Sequence, residues 1–187
     1  MGVKNFIESG YEFRFNSKWN VIKYDDHRFY KILSGHDMSG VDFAGIYNNE
    51  LVYLIEIKNF NQFRNDGNEK SIDDFTKEII EKGMDTIQLI SVIKKYLNRM
   101  FWYKAMHSLV TKFNWINPEW YFWSKVHRLF ILEKKGVFIL LIDADYEMSM
   151  IKDKLRKALS DYYQDVIVMT IEEGNQVKGL EVVKLKD

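Results

Sequence analysis

The chain has 187 residues, 27 Lys and Arg balanced by 27 Asp and Glu, 47% hydrophobic residues and 16% aromatics. This length fits one domain with a sizeable core, and the aromatic content excludes a disordered chain. The absence of cysteine excludes a disulfide scaffold, a thiolate zinc site, an iron–sulfur cluster and a cysteine nucleophile, and the lack of a charged-then-apolar leader or an apolar run of about 18 residues predicts a cytoplasmic protein that does not span a membrane.

In chain order, Tyr11–Phe15 and Trp19–Lys23 read as short strands or irregular structure. Asp25 and Asp26 are placed to cap a short helix from His27 to Ser34, with Gly35 as its stop. Val41–Tyr47 and Leu51–Lys58 are apolar, β-branched and aromatic, and predict a hairpin. Ser71 with Asp74 three positions on is a capping-box-like start, and Asp73 adds negative charge to the first turn. A long helix should follow, with Phe75, Ile79, Ile80, Met84, Ile87, Ile90, Ile93 and Leu97 as its buried stripe. The aromatic segment to about Trp123 is expected to be partly helical and packed on that helix. Arg128–Glu133 and Val137–Ile142 read as strands around Lys134-Lys135-Gly136, and Met148, Ile151, Leu155, Leu159 and Tyr162 mark a second amphipathic helix. Strands at Val166–Ile171 and Leu180–Leu185 complete the order. The unalternating Val137–Ile142 run implies a strand covered on both faces. This order predicts an α/β sandwich, a central mixed β-sheet flanked by helices. It forms a single domain over 1–187, with a basic, aromatic-rich helical insertion at about 98–125.

Zero net charge argues against a nucleic-acid partner only until the charge is mapped. Between Lys94 and Lys135 nine basic residues face only Glu119 and Glu133, a net +7 that leaves the remainder of the chain at −7. Lys94, Lys95, Arg99, Lys104, Lys112 and Lys125 interleave with aromatics including Trp115. Basic groups neutralise phosphates and aromatic faces stack on unpaired bases, so this mixture suits nucleic acid. The bland alternative is that the aromatics are core or dimer contacts and the lysines solvate a helix.

The chemistry-bearing residues lie on the predicted hairpin. Leu51–Lys58 is an apolar strand ending in Glu56 and Lys58, two charges that strand periodicity sends to one face, with Ile57 pointing away. Asp42 is the one acid of the partner strand. It opposes Glu56 if Tyr47 opposes Leu51 across a three-residue Asn48-Asn49-Glu50 loop, whereas a two-residue Asn48-Asn49 turn would put the two acids on opposite faces. Two carboxylates and an ammonium at a strand end suit a hard divalent cation and a phosphodiester. The alternative is a structural ion cluster that pins the hairpin register. Asp143 and Asp145 form a second acid pair, read chiefly as a strand end and helix cap; His107 and His127 have no ligand-like spacing with other histidines, and His27 and His36, nine residues apart, flank the short helix as packing or capping residues or as phosphate contacts.

Gly40-Val41-Asp42-Phe43, the fourteen-residue step from Asp42 to Glu56, and Ile55-Glu56-Ile57-Lys58 resemble the PD-(D/E)xK, or restriction-endonuclease-like, nucleases. The resemblance covers about Asp25 to Ile142 and implies that family's helix, three strands, helix, strand core in a restriction-endonuclease-like sandwich. It further implies that Asp42, Glu56 and the Ile57 backbone carbonyl ligate Mg²⁺ (or Mn²⁺) and that Lys58 is the catalytic lysine. Val41 stands where the family has proline. The acid that many members carry on the first helix is absent from His27–Ser34; Asp25 or Asp26 could stand in for it, His27 or His36 could do so indirectly, and Gln62 is the auxiliary position after Lys58. The implied activity is Mg²⁺-dependent hydrolysis of nucleic acid, DNA before RNA, with symmetric cutting inviting a homodimer. The alternative is an inactive nuclease-fold module that binds nucleic acid or a protein partner.

Overall fold

Alternating apolar residues organise two sheets. A computed structural model describes residues 2–24, 39–58, 71–99, 118–143 and 148–185 of the chain. Strands β1 (Lys4–Glu8), β2 (Tyr11–Phe15) and β8 (Leu180–Lys184) form an antiparallel sheet in the order β1-β2-β8. Strands β3 (Trp19–Lys23), β4 (Phe43–Tyr47), β5 (Leu51–Lys58), β6 (Gly136–Ile142) and β7 (Asp165–Thr170) form a mixed sheet in that order. Its β3-β4-β5 half is antiparallel and its β5-β6-β7 half parallel. The parallel steps are carried by α1 (Ile72–Arg99) with α2 (Pro118–His127), and by α3 (Met148–Leu159).

The mixed sheet has a core on each face. On one, Val52, Leu54, Phe138 and Leu140 meet Ile79, Ile90, Phe122, Trp123 and Leu155 of the helices. On the other, Phe43, Ile55, Ile57, Ile139 and Leu141 meet Phe13, Phe15, Leu180 and Val182 of the small sheet. The expected α/β architecture with a mixed sheet and helices is therefore present. Two features differ from expectation. Among the described residues, the second face of the sheet is covered by strands rather than helices, because β2 and β8 present alternating buried apolar residues to it. Strand β3 also precedes residues 25–38, so among the described residues β4 and β5 are the strands between that segment and α1. The short helix expected at His27–Ser34 lies outside the described residues. Among the described residues, no helix is long and apolar enough to cross a membrane.

Local signals account for several elements. Ser71 and Asp74 cap α1 reciprocally: the Asp74 N–H donates to Ser71 Oγ at 3.1 Å and the Ser71 N–H to Asp74 Oδ2 at 3.3 Å. Arg128–Glu133 is not the expected strand. Arg128–Leu132 is a π-helical turn continuing α2, because a short apolar run does not distinguish a strand from a buried helix end. The Leu129 carbonyl accepts from the Lys135 N–H at 2.9 Å, which closes the turn into β6. Phe130 of this turn fills the space over Gly136, where an added Cβ would lie 2.1 Å from its ring. Gly136→Ala is expected to destabilise the chain by about 2 kcal/mol through overpacking, as measured by urea denaturation; an unchanged midpoint would show that Phe130 yields freely.

Candidate active site at the β4–β5 hairpin

The hairpin register decides whether the two acids meet. Asn48 and Asn49 both adopt left-handed backbone conformations, φ 50° and 62°, which asparagine tolerates better than most residues. The Tyr47 carbonyl accepts from the Glu50 N–H at 3.0 Å. These features close a loop of three residues with Tyr47 opposite Leu51 and Phe43 opposite Ile55. The three-residue loop is the one the chemical reading required; the ladder stops at Phe43–Ile55, and Asp42, one residue beyond it, meets the end of β5 through its side chain. On β5, Val52 and Leu54 face the helices while Ile55 and Ile57 face the small sheet, so Glu56 and Lys58 point toward α1.

Asp42 is held from both sides. Its Oδ2 accepts from the Ile57 N–H at 2.6 Å, and its backbone carbonyl accepts from the Tyr24 N–H at 2.7 Å. Because the N–H and C=O of a strand residue leave toward the same neighbour, the Ile57 carbonyl is directed to the Asp42 edge of β5. Glu56 is 0% exposed. Its Oε1 accepts from Lys82 Nζ at 2.6 Å and lies 3.5 Å from Lys58 Nζ. Its Oε2 is buried with no hydrogen-bond partner among the described residues. Lys58 Nζ donates to Glu78 Oε1 at 2.7 Å. The Lys58 and Lys82 side chains are 20% and 19% exposed, so the sealed acid lies beneath two ammonium groups that reach solvent.

Helix α1 supplies residues that the sequence reading missed. Glu78, Lys82 and Thr86 recur every four residues and therefore share a helix face. Each meets a different part of the hairpin. Glu78 binds Lys58, and Lys82 binds Glu56. Thr86 donates its hydroxyl to the Lys82 carbonyl at 2.7 Å and accepts from the Val41 N–H at 3.2 Å. Asp85 accepts from the Ser39 N–H at 2.9 Å. The approach to Asp42 and the end of β5 are thus fastened to one helix.

Burial, and then the nearby Glu56 charge, push the Asp42 carboxyl up to about 8 against the stabilising Ile57 N–H. Burial also raises the Glu56 carboxyl despite the attraction of Lys82 and Lys58. Burial alone would lower Lys82, but the attraction of Glu56, followed by that of Asp42 and Glu78, outweighs that effect and raises it. Neighbouring acids whose carboxyls both resist ionisation, one with a buried unpartnered oxygen, form a site in which added positive charge is favourable. The donors Asp42, Glu56 and the Ile57 carbonyl are all oxygen and fit a hard cation such as Mg²⁺. Among the described residues, no group of three or more acidic or histidine side chains assembles to hold a metal, so this donor set is two carboxylates and a main-chain carbonyl.

The other anticipated residues divide by position. Asp25, Asp26, His27 and Gln62 lie outside the described residues, as do His36, His107, Asp145, Lys104, Lys112 and Trp115. Asp143 shares strand parity with Ile139 and Leu141 and acts on the Tyr11 hydroxyl, across the sheet from Glu56. Lys94, Lys95 and Arg99 occupy the final turns of α1, and Lys125 on α2 donates to Asn49 Oδ1 at 2.5 Å. Asn49 is at the hairpin turn, seven residues from Asp42, or about 20 Å along an extended strand. Lys125 therefore sits at the opposite end of the hairpin from the acids, and Lys94, which donates to Ser124 Oγ at 3.4 Å, lies beside it. Phe122 and Trp123 are buried in the core, so for these two aromatics the packing reading holds and base stacking does not. Comparison of the chain with protein-family models, curated proteins and solved structures finds no match.

Proposed function

We propose that this protein is a Mg²⁺- or Mn²⁺-dependent nuclease of the PD-(D/E)xK type, hydrolysing phosphodiester bonds in nucleic acid, DNA before RNA. The observation that carries this reading is the meeting of the two acids at the end of β5, where Asp42 Oδ2 takes the Ile57 N–H next to Glu56 and a buried Glu56 oxygen has no partner among the described residues. Asp42, Glu56 and the Ile57 carbonyl would hold the cation. Once bound, it supplies Lewis acidity and lowers the pKa of a coordinated water. The chain's own residues do the rest. Lys58 presents its ammonium at the solvent-reaching edge of the site, where it stabilises negative charge on a phosphate, and Glu78 holds it there at 2.7 Å. Lys125, bound to Asn49 at the hairpin turn, lies about 20 Å from Asp42 by strand rise, a spacing that suits a polymer backbone rather than a mononucleotide.

The rival, an inactive nuclease-fold module, is favoured by the complete burial of Glu56 and its 2.6 Å pairing with Lys82. A cleavage assay on single-stranded, duplex and branched DNA and on RNA separates the two. Mg²⁺- or Mn²⁺-dependent cleavage is expected in the wild type, with a loss of at least about a hundredfold in Lys58→Ala and Asp42→Ala. No cleavage of any substrate and no divalent-cation binding would leave the inactive module as the answer.

A further inference from the structure

The two oxygens of Glu56 are treated unequally. Oε1 takes the Lys82 ammonium at 2.6 Å and has Lys58 at 3.5 Å, whereas Oε2 has no partner among the described residues. Lys82 is itself constrained. Its backbone carbonyl accepts from Thr86, and Thr86 in turn accepts from Val41 beside Asp42. The donor to Oε1 is thus tied through one turn of helix to the backbone that carries the other acid.

We propose that Lys82 is a positioning residue that makes Glu56 a one-oxygen ligand and thereby selects a small octahedral cation over a large one. The inference rests on the nuclease reading of the same site. Mg²⁺ requires near-ideal octahedral geometry with short bonds and keeps several waters, and a single carboxylate oxygen satisfies it. Ca²⁺ takes six to eight oxygens and often binds a carboxylate through both. With Oε1 occupied by an ammonium, the second contact that Ca²⁺ gains from a bidentate glutamate is lost, while the single contact that Mg²⁺ needs is kept. Groups just behind metal ligands commonly set affinity in this way.

The readout that isolates this role is a ratio. Removing an ammonium beside a cation site strengthens binding of every divalent ion, but Mg²⁺ and Ca²⁺ carry the same charge, so charge alone does not move their relative affinity. Titration calorimetry with Mg²⁺ and with Ca²⁺ on the full chain is expected to show preference for Mg²⁺ in the wild type. Lys82→Met, which removes donor and charge, should reduce the Mg²⁺/Ca²⁺ affinity ratio about tenfold. Lys82→Gln, which keeps a donor without the charge, and Lys82→Arg, which keeps both, should preserve it. A wild type that binds Ca²⁺ as well as Mg²⁺ overturns the proposal whether or not Lys82→Met folds. An unchanged ratio in folded Lys82→Met overturns it too, while the wild type's Mg²⁺ binding leaves the nuclease reading standing. Failure of the wild type to bind either ion overturns the nuclease reading and this inference together.

Discussion

Asp42→Asn is expected to make the cation-free protein more stable at pH 8 while eliminating divalent-cation-dependent cleavage. The Asp42 carboxyl is pushed up to about 8, first by burial and then by Glu56, from an ordinary value of 3.8. The native chain therefore holds a proton that the unfolded chain has released between about pH 4 and pH 8. Since the native state binds more protons in that window, its stability falls as pH rises, with a slope of at most about 1.4 kcal/mol per pH unit from this group. The contribution is fully present below about pH 4 and lost as pH passes through 8. The substituted amide does not ionise, yet keeps an oxygen to accept from the Ile57 N–H. Urea denaturation in a chelating buffer at pH 4.5, 6 and 8 should show a steeper decline for the wild type than for the variant, with the variant ahead at pH 8. Added Mg²⁺ should recover the wild type by mass action and leave the variant unmoved. A variant less stable than the wild type at pH 8 without cations would instead mark Asp42 as part of a structural ion cluster. Natural chains retain such a destabilising acid where function requires it.

Lys82→Met is the substitution expected to cost most stability. It leaves Glu56 at 0% exposure with Lys58 at 3.5 Å as its remaining ammonium contact. Breaking a buried pair by removing one partner costs about 3–5 kcal/mol, mostly the penalty of the ion left behind. Because burial already raises the Glu56 carboxyl, protonation at low pH relieves that penalty, so the loss should be large at pH 8 and smaller at pH 5. Lys82→Met combined with Glu56→Gln should recover most of the loss, giving a strongly non-additive double-mutant cycle. Additive effects would mean that the 2.6 Å contact contributes little to stability.

Much of the site's framework is legible in the sequence because local rules write it. Strand periodicity alone places Glu56 and Lys58 on one face. The Asn48-Asn49-Glu50 loop admits two registers on paper, and the left-handed conformations of both asparagines together with the Tyr47–Leu51 pairing decide between them. The capping pair Ser71 and Asp74 marks the start of α1. Other features leave no such trace. Glu78 and Lys82, four apart on a helix, read as a solvent-facing pair, yet each reaches across to a different residue of β5. Arg128–Leu132 has the composition of a strand and forms a π-helical turn whose Phe130 packs over Gly136. β1 escaped the sequence reading: Lys4–Glu8 shows only weak burial alternation, with Ile7 exposed.

By itself, then, the sequence determined the α/β character, the start of the long helix and the shared face of Glu56 and Lys58. All three arise from interactions within a few residues, whose periodicity is written in the chain. Tertiary structure alone decided which charges meet. Lys58 finds Glu78 across 20 residues, Glu56 finds Lys82 across 26, and Val41 finds Thr86 across 45. These contacts exist because α1 lies across the sheet with its 78–82–86 face over the hairpin. The same placement sets Lys94 beside Ser124, next to the Lys125 that binds Asn49 at the hairpin turn, so that net neutrality conceals acids and basic side chains at opposite ends of one hairpin.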